Sequence, residues 1–160
     1  MDERTVRPLT KSDLPAMLHL CQSNPQYYAH MGQRLTLEGL EDDLTALPPG
    51  KTMQDKHFVG VWQQESLVAL LDLVTGYPTE DTAYIGWFMV DARWQGRGLG
   101  SRLIGRLLER LAEAGYTRIR LAYVKGNEQS RRFWEKNGFA PTGQEKTMAT
   151  YTAVVMEKNG

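Results

Sequence analysis

The sequence of 160 residues has a single cysteine, Cys21. No intrachain disulfide can form, so a reducing, cytoplasmic setting is the natural expectation. Neither charge sign is in excess, with 19 Lys and Arg against 19 Asp and Glu. A general nucleic-acid binder would show a basic surplus. Arg93, Arg97, Arg102 and Arg106 supply only a local cluster, interrupted by glutamates on the same helical stretch. No apolar run approaches bilayer length. The first four residues lack the charged-then-apolar layout of a secretory signal. There is no repeat, low-complexity run or linker. Neither nucleic acid nor a membrane is therefore expected as a partner. What remains is a chain with 41% hydrophobic and 24% charged residues, ordinary for a globular protein. Its length suits one domain over residues 1–160 with a real core.

Apolar spacing lays out the elements. Residues 5–9 read as a first strand. Ser12 is the expected cap of a helix carrying Leu14, Met17, Leu18 and Cys21 to about residue 22. Residues 26–32 are aromatic and irregular. Their tyrosines, Tyr27 and Tyr28, either face a substrate or cover the core. Thr36 can cap a second helix with Leu37, Leu40, Leu44 and Leu47 on one face, stopped at Pro48. Its acidic face (Glu38, Glu41, Asp42, Asp43) either attracts a cationic substrate or is simply solvated. Strands follow at 56–62, 67–74 and 82–90, the last nearly all apolar and so expected at the centre of a sheet. A helix with Leu99, Leu103, Ile104, Leu107, Leu108 and Leu111 on one stripe ends near Gly115. It leads to a strand at 118–124, a short helix capped by Asn127, and final strands at 139–141 and 151–156. The strand–helix–strand crossover implies a locally parallel pair. The fold class is α+β, with one parallel step in a mixed sheet.

The chemistry-bearing stretch joins that central strand to the following helix. Gln95, Gly96, Arg97, Gly98, Leu99, Gly100 and Ser101 put glycine at three alternate positions. Glycines permit left-handed dihedrals and close backbone approach. The free N–H groups of a helix start favour an anion. The layout suits a phosphorylated cofactor. It is not a nucleoside-triphosphate loop, because no Gly-Lys-Ser/Thr follows. It fails the dinucleotide fingerprint, because Ser101 stands where a third glycine is needed and no acidic residue lies at the expected distance near 118–120.

The run 95–100 matches the Gln/Arg-x-x-Gly-x-Gly/Ala signature of the GCN5-related N-acetyltransferases (GNAT superfamily). A second match is Asn127-Glu128-Gln129-Ser130-Arg131-Arg132-Phe133-Trp134-Glu135-Lys136-Asn137-Gly138-Phe139, which resembles the family's Asn-x-x-Ala/Ser-x-x-Phe/Leu-Tyr-x-x-x-Gly-Phe helix. The resemblance covers about residues 82–141. It implies a mostly antiparallel, twisted sheet of about six or seven strands flanked by about four helices, with a splayed central parallel pair. It also implies acetyl-CoA as co-substrate and no metal. The amides of Gly96, Arg97, Gly98, Leu99, Gly100 and Ser101 would hold the pyrophosphate beside Gln95. Phe88, Met89 and Val90 would lie along the pantetheine arm, with Phe133 against it. The Val90 backbone amide would polarise the thioester carbonyl. Asn127 would bond the arm, cap its helix, or divide itself between the two. A homodimer is open, with the strand at 151–156 as its candidate surface.

The implied reaction is acetyl transfer to a primary amine of a small molecule or peptide by direct attack in a ternary complex. A free alkylamine has a pKa near ~10.4, so a proton must be accepted. The leaving thiol, near ~8.5, departs with little help from an acid. The family's usual glutamate base falls at Tyr84 and its usual tyrosine acid at Trp134. An indole N–H cannot serve as such an acid. Tyr84 and Tyr123 lead the substitutes, with His57, Asp72, Glu80 and Asp81 behind them. Tyr27, Tyr28 and Asp72 are the candidate acceptor contacts, and segments 24–32, 38–43 and 75–81 would shape that site. The alternative function is a non-catalytic acyl-CoA-binding or sensor module.

Overall fold

Strand β4 (Thr82–Val90) lies at the centre of the sheet in the computed structural model, which describes residues 4–159. On one side it pairs antiparallel with β3 (Ser66–Thr75), followed outward by β2 (Lys56–Gln63) and β1 (Arg4–Pro8). On the other side it pairs parallel with β5 (Arg118–Val124), followed by β7 (Thr152–Asn159) and β6 (Ala140–Thr147). The order is β1-β2-β3-β4-β5-β7-β6, and β4–β5 is the parallel step. Helix α4 (Leu99–Glu113) makes the crossover between them.

The other helices are α1 (Leu14–Gln22), α2 (Pro25–Met31), α3 (Leu37–Asp43) and α5 (Glu128–Lys136). They cover both faces. Met17, Leu20, Cys21 and Leu40 from α1 and α3 pack with Phe58, Trp62, Leu70 and Met89. Ile104 and Leu111 of α4 and Trp134 of α5 pack on the opposite face, over Ala83, Ile85, Ile119 and Leu121. Each aliphatic side chain buried this way contributes about 1.5–3 kcal/mol. The arrangement is the expected α+β fold, and the described residues form seven strands and five α-helices, against about four helices expected.

Four local expectations are corrected. Thr10, paired with Asp13 in a capping box, starts the first helical turn, and Ser12 lies inside that turn. Residues 26–32 are not irregular. Asn24 precedes the helix, Pro25 opens it, and Gly32 at φ 66° closes it. The second helix is capped by Thr36, whose hydroxyl accepts from the Gly39 amide at 3.0 Å, yet it ends at Asp43, before Leu44 and Leu47. β7 is not an edge. It pairs on both sides, so it cannot extend a sheet into a partner copy.

The sheet opens at its middle for a local reason. β3 and β4 lose register between Asp72 and Leu73, leaving Gly86 as an extra residue in β4. A bulge bends its strand and increases local twist. The β4–β5 ladder runs from Thr82↔Arg118 to Ile85↔Leu121 and stops at that bulge. At the other end the strands are tied together, because Asp81 accepts from the Thr117 amide (2.9 Å) and hydroxyl (3.1 Å). Beyond Ile85, β4 has β3 on one edge and an open wedge on the other.

Candidate functional site

The glycine turn leaves β4 through Asp91, fully buried, whose carboxylate accepts from the Arg93 amide at 2.9 Å and from its guanidinium. That ion pair removes Arg93 from the basic cluster. Gly96 and Gly98 then adopt φ 76° and 80°, the left-handed region where an L side chain is strained. A Cβ at either would meet nothing within 4 Å. Gly100 has a different role. A Cβ there would stand 3.0 Å from the Phe133 ring, so a side chain at this position would press on the packing of α4 against α5. Among the described residues, no amide at residues 96–101 donates to a protein acceptor, and the first bond of α4 is Arg102 N–H to the Gly98 carbonyl. A run of unpartnered amides at a helix N-terminus can hold an anion.

The end of β4 offers a second set of donors. The Asp91 amide bonds across to the Val68 carbonyl of β3 at 2.8 Å. Strand alternation then directs the Met89 amide toward β3, and the Phe88 and Val90 amides into the wedge. The Val90 carbonyl already accepts from Gln95 Nε2 (2.8 Å) and Asn24 Nδ2 (3.1 Å), and Gln95 Nε2 also reaches Asn24 Oδ1 (2.7 Å). Asn24 thereby clasps α2 and the glycine turn to the strand end. Ser23 adds a further tie, its hydroxyl accepting from the Ala92 amide at 3.0 Å.

A cavity of about 570 Å³ lies over these donors. It is lined by Phe88, Met89, Val90, Gln95, Gly96, Gly98, Leu99, Gly100, Ser101, Asn127 and Phe133, together with Asn24, Tyr27, Ser130 and Trp134. Of the residues expected to hold the cofactor, only Arg97 is off the wall. Its guanidinium lies over the Trp94 ring at 5.6 Å. Asn127 uses one end of its amide as a helix cap. Oδ1 caps α5 by accepting from the Ser130 amide at 3.2 Å, and Nδ2 has no partner among the described residues. Phe133 stacks on Phe88 at 5.9 Å, and Trp134 meets Phe88, Phe133 and Phe139 edge-on at 6.0, 4.9 and 5.3 Å. Trp134 therefore serves as a packing hub as well as lining the cavity.

Through the wedge lies a second cavity of about 380 Å³, sharing Tyr27, Phe88, Ser130 and Trp134 with the first. Tyr84 and Tyr123 are both on its wall. Burial pushes both phenols up, so both are protonated at neutral pH and suit proton donation or water orientation, not proton abstraction. Tyr84 packs edge-on against Tyr77 at 5.6 Å. Trp87 and Tyr27, stacked at 6.4 Å, form another wall, and Tyr151, Arg120 and Lys146 complete the rim.

Other sequence candidates lie elsewhere. Tyr28 packs into the core on the α1 side and lines neither cavity. Asp72 lies beneath Gly86, where its Oδ2 accepts from Lys56 Nζ at 2.9 Å. That ammonium is 1% exposed and also donates to the Ala46 carbonyl, so Asp72 is the counter-ion of a buried lysine. His57 is exposed on β2, and Asp81 is held by Thr79, Thr82 and Thr117; neither these nor Glu80 reaches a cavity. On α3, Glu38, Glu41 and Asp42 are exposed, whereas Asp43 turns inward and burial pushes its carboxyl up to about 6. Sequence reasoning placed Asn24 only within the 24–32 segment and missed Trp87, Arg120, Lys146 and Tyr151. Only Asn24 carried a local signal, the Asn-Pro step at a helix start. No group of three or more His, Cys, Asp or Glu among the described residues is placed to hold a metal. No described helix is long and apolar enough to cross a membrane.

The frame of the site is a mixed sheet that splits beside a glycine turn. The family model of the GNAT acetyltransferases matches residues 20–139, and the chain belongs to that family. Solved structures agree on the fold. An acetyltransferase from Thermus thermophilus is 23% identical, with 98% of this chain and 97% of that one covered and a TM-score of 0.79. The paia N-acetyltransferase from Thermoplasma acidophilum, in complex with coenzyme A, is 18% identical over 99% and 100%, with a TM-score of 0.70. The ribosomal-protein-S18-alanine N-acetyltransferase from Escherichia coli is 19% identical over 98% and 93%, with a TM-score of 0.68. A search of the curated proteins finds no match.

Proposed function

We propose that this protein transfers an acetyl group from acetyl-CoA to a primary amine by direct attack in a ternary complex. The observation that carries the reading is the continuity of donors: unpartnered amides at residues 96–101, then the Val90 amide facing the wedge that joins the two cavities. The residues present fit the co-substrate. Gly96 and Gly98 leave the cradle free of side chains, Asn127 Nδ2 is uncommitted, and Phe88 and Phe133 form an apolar wall.

Acetyl-CoA, when bound, supplies an acetyl group already activated as a thioester. The chain's own groups do the rest. The amides of residues 96–101 hold pyrophosphate charge at the start of α4. The Val90 amide, fixed by its strand, donates to the carbonyl oxygen as negative charge grows there. Gln95 and Asn24 occupy the Val90 carbonyl, so the strand end presents its amide as the available group. Tyr84 orients the water that takes the amine proton, or gives a proton to the departing sulfur. The N–C bond forms, the C–S bond breaks, and the amine sheds one proton. Two substrates held in adjoining cavities gain most of their advantage from proximity.

The test is release of free thiol from acetyl-CoA with a panel of polyamines, amino acids, aminoglycosides and peptides. Acceptor-dependent release is expected. Tight acetyl-CoA binding with no turnover on any acceptor would favour a non-catalytic acyl-CoA-binding module. Acetyl transfer is favoured over that module because a second cavity adjoins the first, the two sharing Tyr27, Phe88, Ser130 and Trp134.

A further inference from the structure

The second cavity has a charge pattern that selects among amines. Its wall holds two cationic side chains, Arg120 of β5 and Lys146 of β6, and no carboxylate among the described residues. Arg120 is partly neutralised: its Nε and Nη2 both donate to one oxygen of Glu157, at 3.1 and 2.8 Å. Its Nη1 has no partner among the described residues. Lys146 is exposed and forms no ion pair there, while its neighbour Glu145 pairs with Lys125 at 3.1 Å. The nearest acids on the α1–α3 side, Asp43 and Asp72, lie behind the wall beside Lys56. The cavity therefore carries a net positive rim. Much of the remaining wall is aromatic, with the Tyr27–Trp87 stack and the Tyr77–Tyr84 pair both lining it.

Building on the acetyl-transfer reading, we propose that the acceptor is a small primary amine with an aromatic body and a carboxylate, an aromatic amino acid in its chemistry. The amine would lie at the wedge near Phe88 and Trp134, the ring between the tyrosines and Trp87, and the carboxylate toward Lys146 and Arg120. A polyamine or aminoglycoside finds no counter-ion on this wall and meets like charge at its rim.

Matched pairs test this: L-tryptophan against tryptamine and L-phenylalanine against phenethylamine, with spermidine as the polycation. Thiol release gives kcat/KM, and calorimetry in the presence of CoA gives acceptor binding whether or not turnover occurs. The carboxylate member of each pair is expected to be at least tenfold better. Lys146→Gln should shrink the ratio within each pair at least fivefold, and Lys146→Arg should preserve it. Turnover of tryptamine or spermidine equal to or above that of the amino acids overturns the acceptor class and leaves acetyl transfer standing. No turnover on any amine removes acetyl transfer, and binding then decides: tighter binding of the carboxylate member keeps the acceptor class. Equal, weaker or undetectable binding overturns it.

Discussion

The two cavities that meet at the β4–β5 wedge are built from different material. The first owes its polar groups mostly to backbone: amides of one glycine turn, amides of one strand edge, and a side-chain amide at one helix start. The second is almost all side chain, drawn from α2, the 76–81 connection, β4, β5, β6 and the segment before β7. A backbone site binds whatever presents a phosphate and an extended amide chain, and it tolerates little change in the chain's path. A side-chain site can be rewritten residue by residue while the sheet stays the same. On the proposed reading the difference separates a fixed co-substrate from a variable acceptor, and substitutions on either side should separate them experimentally.

The largest effect is expected at the turn. Gly98→Asp places a carboxylate in the cradle, in a residue type that tolerates the left-handed conformation. CoA affinity should fall by about 100-fold, roughly 2.7 kcal/mol, while the melting temperature stays within a few degrees. Calorimetry beside a thermal melt checks both. Undiminished affinity in a folded variant would remove the cradle assignment. Gly100 is a poorer probe, because a side chain there strikes Phe133 and confounds packing with binding.

The same contrast explains what is legible in the chain. The glycine turn, the Asn127 helix and the apolar β4 are local signals, each complete within about a dozen residues, and they locate the first cavity almost wall for wall. The second is legible only in part: Tyr27, Tyr84 and Tyr123 stand out in the sequence, but Trp87, Arg120, Lys146 and Tyr151 are brought to them only by the sheet order. Asp72 reads wrongly as a contact because nothing local announces its partner Lys56, sixteen residues away. β6 reads as three residues because it is exposed along its whole length and shows no apolar alternation. α2 escapes the apolar pattern because its residues bury no continuous stripe, although its boundary residues, Asn24, Pro25 and Gly32, are in view.

The next effect in size falls at the wedge. Tyr84→Phe keeps the ring that packs against Tyr77 and removes only the hydroxyl. Thiol-release turnover should drop roughly tenfold to thirtyfold, with the KM for acetyl-CoA unchanged, because the residue lines the second cavity and not the first. A change in KM for acetyl-CoA alone would place Tyr84 on the wrong side of the comparison. Since burial raises the phenol, this hydroxyl stays protonated across the neutral range and adds no basic limb there to the pH profile.

Asn127 lies on the backbone-built side and offers a finer cut. Asn127→Ser keeps a cap for the Ser130 amide and loses Nδ2. CoA affinity should fall about fivefold, with stability nearly unchanged. Asn127→Ala loses both functions and should cost about 1 kcal/mol of stability in addition. Equal affinity in the serine variant and the parent would leave Asn127 as a helix cap alone.

The smallest expected effect concerns the buried charge behind the acceptor wall. Asp43 is partly buried near Asp72 and Lys56, and burial holds its carboxyl at about 6, above the usual carboxylate range. A folded-state value above the unfolded one means that the native protein binds more protons between about pH 4 and 6. Stability contributed there is present at low pH and is lost as pH rises through 6. Above that, the ionised carboxylate is a standing cost that Asp43→Asn removes. The variant should be more stable at pH 7 by about 1 kcal/mol, allowing for screening by the water the group still reaches, or roughly 2–4 °C in Tm. The advantage should shrink as pH falls from 6 and be small by pH 4, where the native carboxyl is protonated and the unfolded one about half so. Thermal melts from pH 4 to 8 check the sign. A gain that persisted at pH 4 would mean that the asparagine acts through packing and that Asp43 stores no charge behind the acceptor wall.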